Sequence, residues 1–247
     1  MKEISTLRAL RDNYIYVIKN NENAIVVDPG HEQPVFRYLQ DNNLQLSAIL
    51  LTHHHADHTG GTAELKQVTG CTIFGPDGHT VNEVVRGGEV KNILSFEIEV
   101  IPTPGHTRSH VVYHIPELKA LFTGDTLFIA GCGRLFEGNA KQMWSSLQKL
   151  AALRDDTKVY CGHEYSEYNL RFAATVDPDN AAITEKLRDV RNTLAAGGFS
   201  VPSTIADEKK YNPFLRADDL SIRKHLKMES ASDIGVFAEL RRRKDYY

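Results

Sequence analysis

The chain has 247 residues, 41% hydrophobic and 25% charged, with a formal net charge of −3. That size fits one large domain or one domain with an appendage, and the charge balance gives no global field for nucleic acid or an anionic membrane surface. No apolar run reaches the ~18 residues of a membrane span, and the charged start MKEISTLRALRDNY has no signal-peptide core. Cys71, Cys132 and Cys161 are odd in number and lack CxxC spacing, so a disulfide framework is not expected. A soluble cytoplasmic protein is the expectation.

Taken in order, Tyr14–Ile18 and Ala24–Asp28 read as strands joined by the polar KNNEN turn, a hairpin. DPG ends the second strand, and Pro34 then sits near the start of an amphipathic helix with Val35, Tyr38 and Leu39 on one face. Ala48–Leu51 is a short buried-type strand, followed at once by a histidine cluster. Gly60-Gly61 opens into a helix over 62–66. Further strands are expected at Cys71–Phe74, Ser95–Ile101, Val111–Ile115, Ala120–Thr123 and Lys158–Cys161, with a helix over Met143–Leu153 that spaces Trp144, Leu147 and Leu150 on one side. Beyond about Tyr165 the pattern turns helical: Asn180–Ala196 closed by Gly197-Gly198, a helix opened by Pro202, and a last one over Ser232–Lys244. A boundary is placed near residue 168, between a mixed α/β domain (1–168) and a helical tail (169–247).

The cluster reads LTHHHADHTG, Leu51 to Gly60. If the segment is extended, His53 and His55 point the same way and reach one metal together. Asp57 and His58, being adjacent, diverge and can serve a second; His54 points away, as a packing residue or one that supports a ligand from behind. Imidazole with carboxylate suits zinc, iron or manganese. Three later loops each add one ligand type just past a strand: His106 in PTPGHT, Asp125 in FTGDT and His163 in CGHEY. Loops at the ends of a rigid scaffold are where sites are built. His110 and His114 lie near His106 and are read as structural, as are the three cysteines.

With these motifs on the page, the chain resembles the metallo-β-lactamase-fold hydrolases, and within them the glyoxalase II (hydroxyacylglutathione hydrolase) family. The resemblance runs through DNYIYVI, VVDPG, THHHADHTGG, TPGHTRSH, FTGDTLF, GCGRLFEG, CGHEY, YNPFLR and the terminal RRRKD. It implies an α+β fold, an αββα sandwich with an all-helical C-terminal domain that binds substrate. It implies two divalent metal ions, zinc as first choice. His53, His55 and His106 then hold one ion, Asp57, His58 and His163 the other, and Asp125 bridges them. It implies hydrolysis of S-D-lactoylglutathione to glutathione and D-lactate, the second step of methylglyoxal detoxification. The nucleophile is a hydroxide shared by the metals, with Asp57 and Asp125 as the catalytic carboxylates.

The chemistry fits that ligand set. Metal coordination lowers the pKa of water from 15.7 to about 7 and stabilises the oxyanion, and a thiolate leaving group asks for no strong acid. For the glutathionyl part, the resemblance implies Arg134, Tyr165, Arg241 and Lys244 as donors, with Phe136 beside them in the same substrate-binding set. Arg134 stands where one family version has lysine and keeps the charge with another donor geometry. Phe136 stands where that version has tyrosine and loses a hydroxyl. The expected partner is thus a small glutathione thioester, not nucleic acid or membrane, and the expected state is monomeric. A lactonase-like hydrolase, an RNA nuclease of the same fold and a non-catalytic metal module are the competing readings.

Overall fold

The computed structural model describes residues 2–76 and 81–247. The chain divides into two compact units, Met1–Pro102 with Ser109–Gly124, and Thr103–Arg108 with Asp125–Tyr247.

In the first unit β1 (Lys2–Ala9), β2 (Asn13–Asn20) and β3 (Asn23–Val27) run antiparallel. The KNNEN hairpin forms as expected: Asn20 faces Asn23, and Asn21 takes φ 56°, a left-handed conformation that asparagine tolerates. β1 was not expected, because its charged, half-exposed pattern is that of an edge strand. Helix α1 (Glu32–Asp41) is capped by His31, whose Nδ1 accepts from the Gln33 amide, and it buries Val35 and Leu39. Strand β4 (Gln45–Leu50) leads through the short α2 (Ala56–Thr59) and α3 (Thr62–Thr69) to β5 (Thr72–Gly75) and β6 (Glu83–Val84). β3 to β6 pair in parallel, which explains why Ile25–Val27 and Ala48–Leu50 are continuous apolar runs rather than alternating ones.

A second, antiparallel layer follows: β7 (Val90–Ile93), β8 (Phe96–Pro102), β9 (Val111–Ile115) and β10 (Ala120–Gly124). The two layers pack through Tyr16 against Phe122, ring centroids 5.4 Å apart, and through the Tyr113 hydroxyl, which donates to the Leu51 carbonyl at 2.8 Å.

The second unit holds the tight hairpin β11 (Leu127–Phe128) and β12 (Gly131–Cys132), then α4 (Ala140–Ala151) and β13 (Lys158–Cys161). α4 starts on a capping box between Asn139 and Gln142 and buries Leu147 and Leu150. There follow α5 (Ser166–Val176), α6 (Ala181–Ala195), the two-residue β14 (Ser203–Thr204), α7 (Ile205–Tyr211), α8 (Leu220–Leu226) and α9 (Asp233–Asp245). α5 follows Tyr165 without a side-chain cap, whereas α8, also not expected, is capped by Asp219, whose side chain accepts from the Ser221 amide at 2.8 Å. The helix expected at Pro202 starts instead at Ile205: the Thr204 hydroxyl accepts from the Asp207 amide and so caps it, and Pro202 precedes β14. The helices close on aromatic side chains, Phe172 with Phe214 at 6.0 Å, Phe214 with Phe237 at 5.8 Å and Trp144 with Phe237 at 5.9 Å. The fold is α+β with a helical C-terminal region. Among the described residues no helix is long and apolar enough to cross a membrane.

Candidate metal centre

The histidine cluster is not extended. His53 and His55 lie in the loop after β4, and Asp57 and His58 sit on α2. His53 and His55 still meet, with Nε2 of the first 3.1 Å from Nδ1 of the second. The expectation that Asp57 and His58 diverge is corrected. On one helical turn Asp57 Oδ2 comes within 3.6 Å of His58 Nε2, because α2 curls the two side chains toward one another. The His54 ring packs edge-on against His55, ring centroids 5.1 Å apart. Only a glycine at position 30 lets this turn approach, since a Cβ there would fall 1.8 Å from the Asp57 carbonyl.

The rings are oriented from behind by Asp28, which the sequence showed only as the end of a strand. Its Oδ1 accepts from the Thr52 amide at 2.8 Å, and its Oδ2 accepts from the Thr52 hydroxyl at 2.7 Å and from His58 Nδ1 at 3.0 Å. His58 therefore carries its proton on Nδ1 and turns an acceptor Nε2 toward Asp57. The Thr52 hydroxyl has given its hydrogen to Asp28, so at 3.0 Å it accepts from His53 Nδ1. His53 likewise presents Nε2 as an acceptor. Asp28, His53 and His58 each bring a donor atom within 4.8 Å of the others. Asp28 is committed to His58 Nδ1 and Thr52, and so braces both rings from behind. The His110 ring stacks on His53 at 4.9 Å, and His114 bonds Glu99 at 2.7 Å.

The other expected residues lie in the second unit. His106 Nε2 lies 3.3 Å from Asp125 Oδ2, and His163 Nε2 lies 3.4 Å from Asp125 Oδ1. One carboxylate thus faces two imidazoles, one oxygen to each. His106 Nδ1 is 2.9 Å from the Arg134 carbonyl, which can only accept, so the proton is on Nδ1 and Nε2 is again an acceptor. A carboxylate oxygen and an imidazole lone pair at this distance repel unless a cation or proton lies between them. Imidazoles with this tautomer, set against carboxylates, are the donor set that a divalent cation asks for. Position 133 must be glycine, because a Cβ there would fall 2.0 Å from the Asp125 carbonyl.

A cavity of about 410 Å³ opens in this unit. His106 and Asp125 form one wall, and Arg134, Phe136, Tyr165, Arg241 and Lys244 stand around it, so all five expected substrate residues share one pocket. Tyr165 stacks flat on His163, rings 4.7 Å apart and 2° from parallel, and Phe136 lies 5.1 Å from His106. The basic run of α9 divides by helical period. Arg242 and Arg243 pair with Glu239 on the outside, while Arg241 and Lys244 are buried. Arg241 donates to the Cys132 carbonyl at 2.7 Å and pairs with Asp245. The Lys244 ammonium lies 3.4 Å from the centre of the Tyr168 ring. Tyr168, Asn169 and Phe128 also line the pocket. Tyr168 and Asn169 follow Tyr165 at helical spacing, a signal that needed α5 to be seen. Burial pushes the thiols of Cys71, Cys132 and Cys161 up, that of Cys132 to about 11, which suits structural use.

Comparison with known proteins bears on this arrangement. Residues 9–163 match the metallo-beta-lactamase superfamily, and residues 164–247 match the hydroxyacylglutathione hydrolase C-terminus. A hydroxyacylglutathione hydrolase of Rhizobium meliloti (strain 1021) is 45% identical over 252 residues, 99% of this chain and 98% of that protein. One of Methylococcus capsulatus is 42% identical over 254 residues, 100% of this chain and 99% of that protein. Among solved structures, ETHE1 from Myxococcus xanthus superposes with a TM-score of 0.71 at 26% identity, covering 97% of this chain and 90% of that one. TTHA1623 in a di-iron-bound form shares the fold, with a TM-score of 0.61 at 24% identity over 85% of this chain and 98% of that one.

Proposed function

The chain belongs to the hydroxyacylglutathione hydrolase family of the metallo-beta-lactamase superfamily, and from that premise we propose that it hydrolyses S-D-lactoylglutathione, and other 2-hydroxyacylglutathiones, to glutathione and the free hydroxy acid. The observation that carries this reading is the single cavity in which His106 and Asp125 share walls with Arg134, Arg241 and Lys244. It sets candidate metal ligands beside three cations suited to the carboxylates of a glutathionyl group.

Two divalent ions, zinc first and iron or manganese as alternatives, are proposed for the centre. The family motif gives His53, His55 and His106 to one ion, Asp57, His58 and His163 to the other, and Asp125 to both. Such ions supply a water acidified to near neutrality and polarise a carbonyl. The chain's own residues do the rest. Asp125 sets one oxygen against His106 and the other against His163, where a cation would join them, and the Arg134 carbonyl keeps the His106 proton on Nδ1. Arg241 and Lys244 anchor substrate carboxylates from the buried face of α9, and Arg134 approaches from the facing loop. Tyr165 packs the pocket against His163. The thiolate departs without a protein acid, as a thiol of pKa near 8.5 allows. In this reading residues 1–168 form the catalytic domain and 169–247 the helical substrate-binding domain, which adds Arg241 and Lys244 to Arg134 and Tyr165. Three buried free thiols suit a reducing compartment, here the cytoplasm.

The test is the rate of S-D-lactoylglutathione hydrolysis with metal assayed on the same sample. Turnover that chelation removes and zinc restores, and that Asp57→Ala abolishes, is expected. Two metals per chain without thioester hydrolysis moves the function to a lactonase-like hydrolase.

A further inference from the structure

Asp57 is a difficult residue to fix. Its side chain is 41% exposed on a helix of four residues, so neither burial nor helix packing selects a rotamer. Asn13 lies against it. This residue is buried at the first position of β2, opposite Ala9, where the turn from β1 closes. Its Nδ2 donates to the Asp57 carbonyl at 3.0 Å and to Asp57 Oδ2 at 3.1 Å. Both neighbours are acceptors, so the amide must face them with its nitrogen. The oxygen it grips is the one that lies 3.6 Å from His58 Nε2.

We propose that Asn13 is a positioning residue for the metal centre: by binding the Asp57 backbone and carboxylate together, it locks the Asp57 side chain toward His58 and sets the affinity of the ion those two residues hold. The inference rests on the two-ion reading above. Two bonds from one amide to the main chain and the side chain of a single residue leave that side chain one arrangement. The donor is neutral, so it orients the carboxylate without cancelling the charge a cation needs. Asp28 performs the same office for His58 from the other side, so the pair Asp57–His58 is braced at both members.

The experiment is an equilibrium zinc titration of the metal-free full chain against a chromophoric chelator, on wild type, Asn13→Ala and Asn13→Leu. The leucine keeps the volume and removes the donor, which separates orientation from packing. Far-ultraviolet circular dichroism shows which variants fold, and either suffices. One zinc equivalent is expected to weaken by ~10–100-fold, the usual effect of removing a hydrogen bond behind a ligand, while the other stays within about threefold. Two equivalents with wild-type affinity in a folded variant overturn the proposal, as does equal weakening of both. Uptake of one equivalent by the wild type overturns the two-ion reading instead. The variants then still decide the role of Asn13, by weakening that equivalent or leaving it unchanged.

Discussion

His58 Nδ1 lies 3.0 Å from Asp28 Oδ2, both side chains are buried, and the two residues are thirty positions apart in the chain. The Asp28 carboxylate thereby decides which nitrogen of His58 is available. Asp28→Asn keeps the shape but brings an amide hydrogen toward His58, which forces the proton onto Nε2. Zinc affinity is expected to fall by ~10–100-fold with a small loss of stability. Asp28→Ala also strands the Thr52 amide and hydroxyl, at about 1–3 kcal/mol for each buried group, so its melting temperature should fall further. Zinc titration and thermal unfolding on both variants check this. Unchanged affinity in Asp28→Asn would remove Asp28 from the centre.

Burial, and then the neighbouring Arg241, pull the Lys244 ammonium down to about 7. A lysine depressed in this way is cationic below that value and neutral above it. KM for S-D-lactoylglutathione is expected to be lowest below neutrality and to climb above it, with kcat spared, because the lost contact is made equally in ground and transition states. Lys244→Met should show a high KM at every pH. Retention of the wild-type KM and its slope in that variant would show that Lys244 does not meet the substrate carboxylate. Lys244 is a cleaner target than Arg241, which also holds the Cys132 carbonyl and Asp245.

Glu208 is fully buried on α7, where it accepts from the Ala130 amide at 2.9 Å, the Asn212 amide at 3.0 Å and the Tyr211 hydroxyl at 3.0 Å. Burial pushes its carboxyl from the ordinary 4.5 up to about 7. The folded value lies above the unfolded one, so the fold disfavours the charged form. The penalty is absent below about 4.5 and reaches on the order of 3 kcal/mol above about 7, so it takes away stability as pH rises through that window. Glu208→Gln keeps an oxygen for Ala130 and Asn212 and can donate to Tyr211. Urea unfolding should find the variant more stable relative to wild type at pH 8 than at pH 5. Parallel pH curves for the two proteins would refute the penalty.

Much of the site was legible because it rests on residue type and local order. Four histidines and an aspartate in six residues, and Asp125 and His163 just past the strands β10 and β13, are written in the chain itself. So are the hairpin at Asn21 and the helix caps at Asn180 and Ser232. The geometry within the cluster was not legible. An extended segment and a loop running into a helical turn place Asp57 and His58 differently, and four residues carry too little periodicity to choose between them.

By itself, then, the sequence determined which chemical groups this protein gathers and in which loops, since imidazole and carboxylate side chains keep their chemistry wherever the chain puts them. Only the tertiary structure decided which of these groups meet and how they are aimed. Asp28 and Asn13 look like a strand end and a turn residue until β2 and β3 bring them against α2. Arg134 reads as a charge, yet its carbonyl is what holds His106. In RRRKD only burial separates Arg241 and Lys244 from the solvated Arg242 and Arg243. Hydrogen bonds between residues distant in sequence leave no local pattern, and a tautomer or a rotamer exists only once those partners have met.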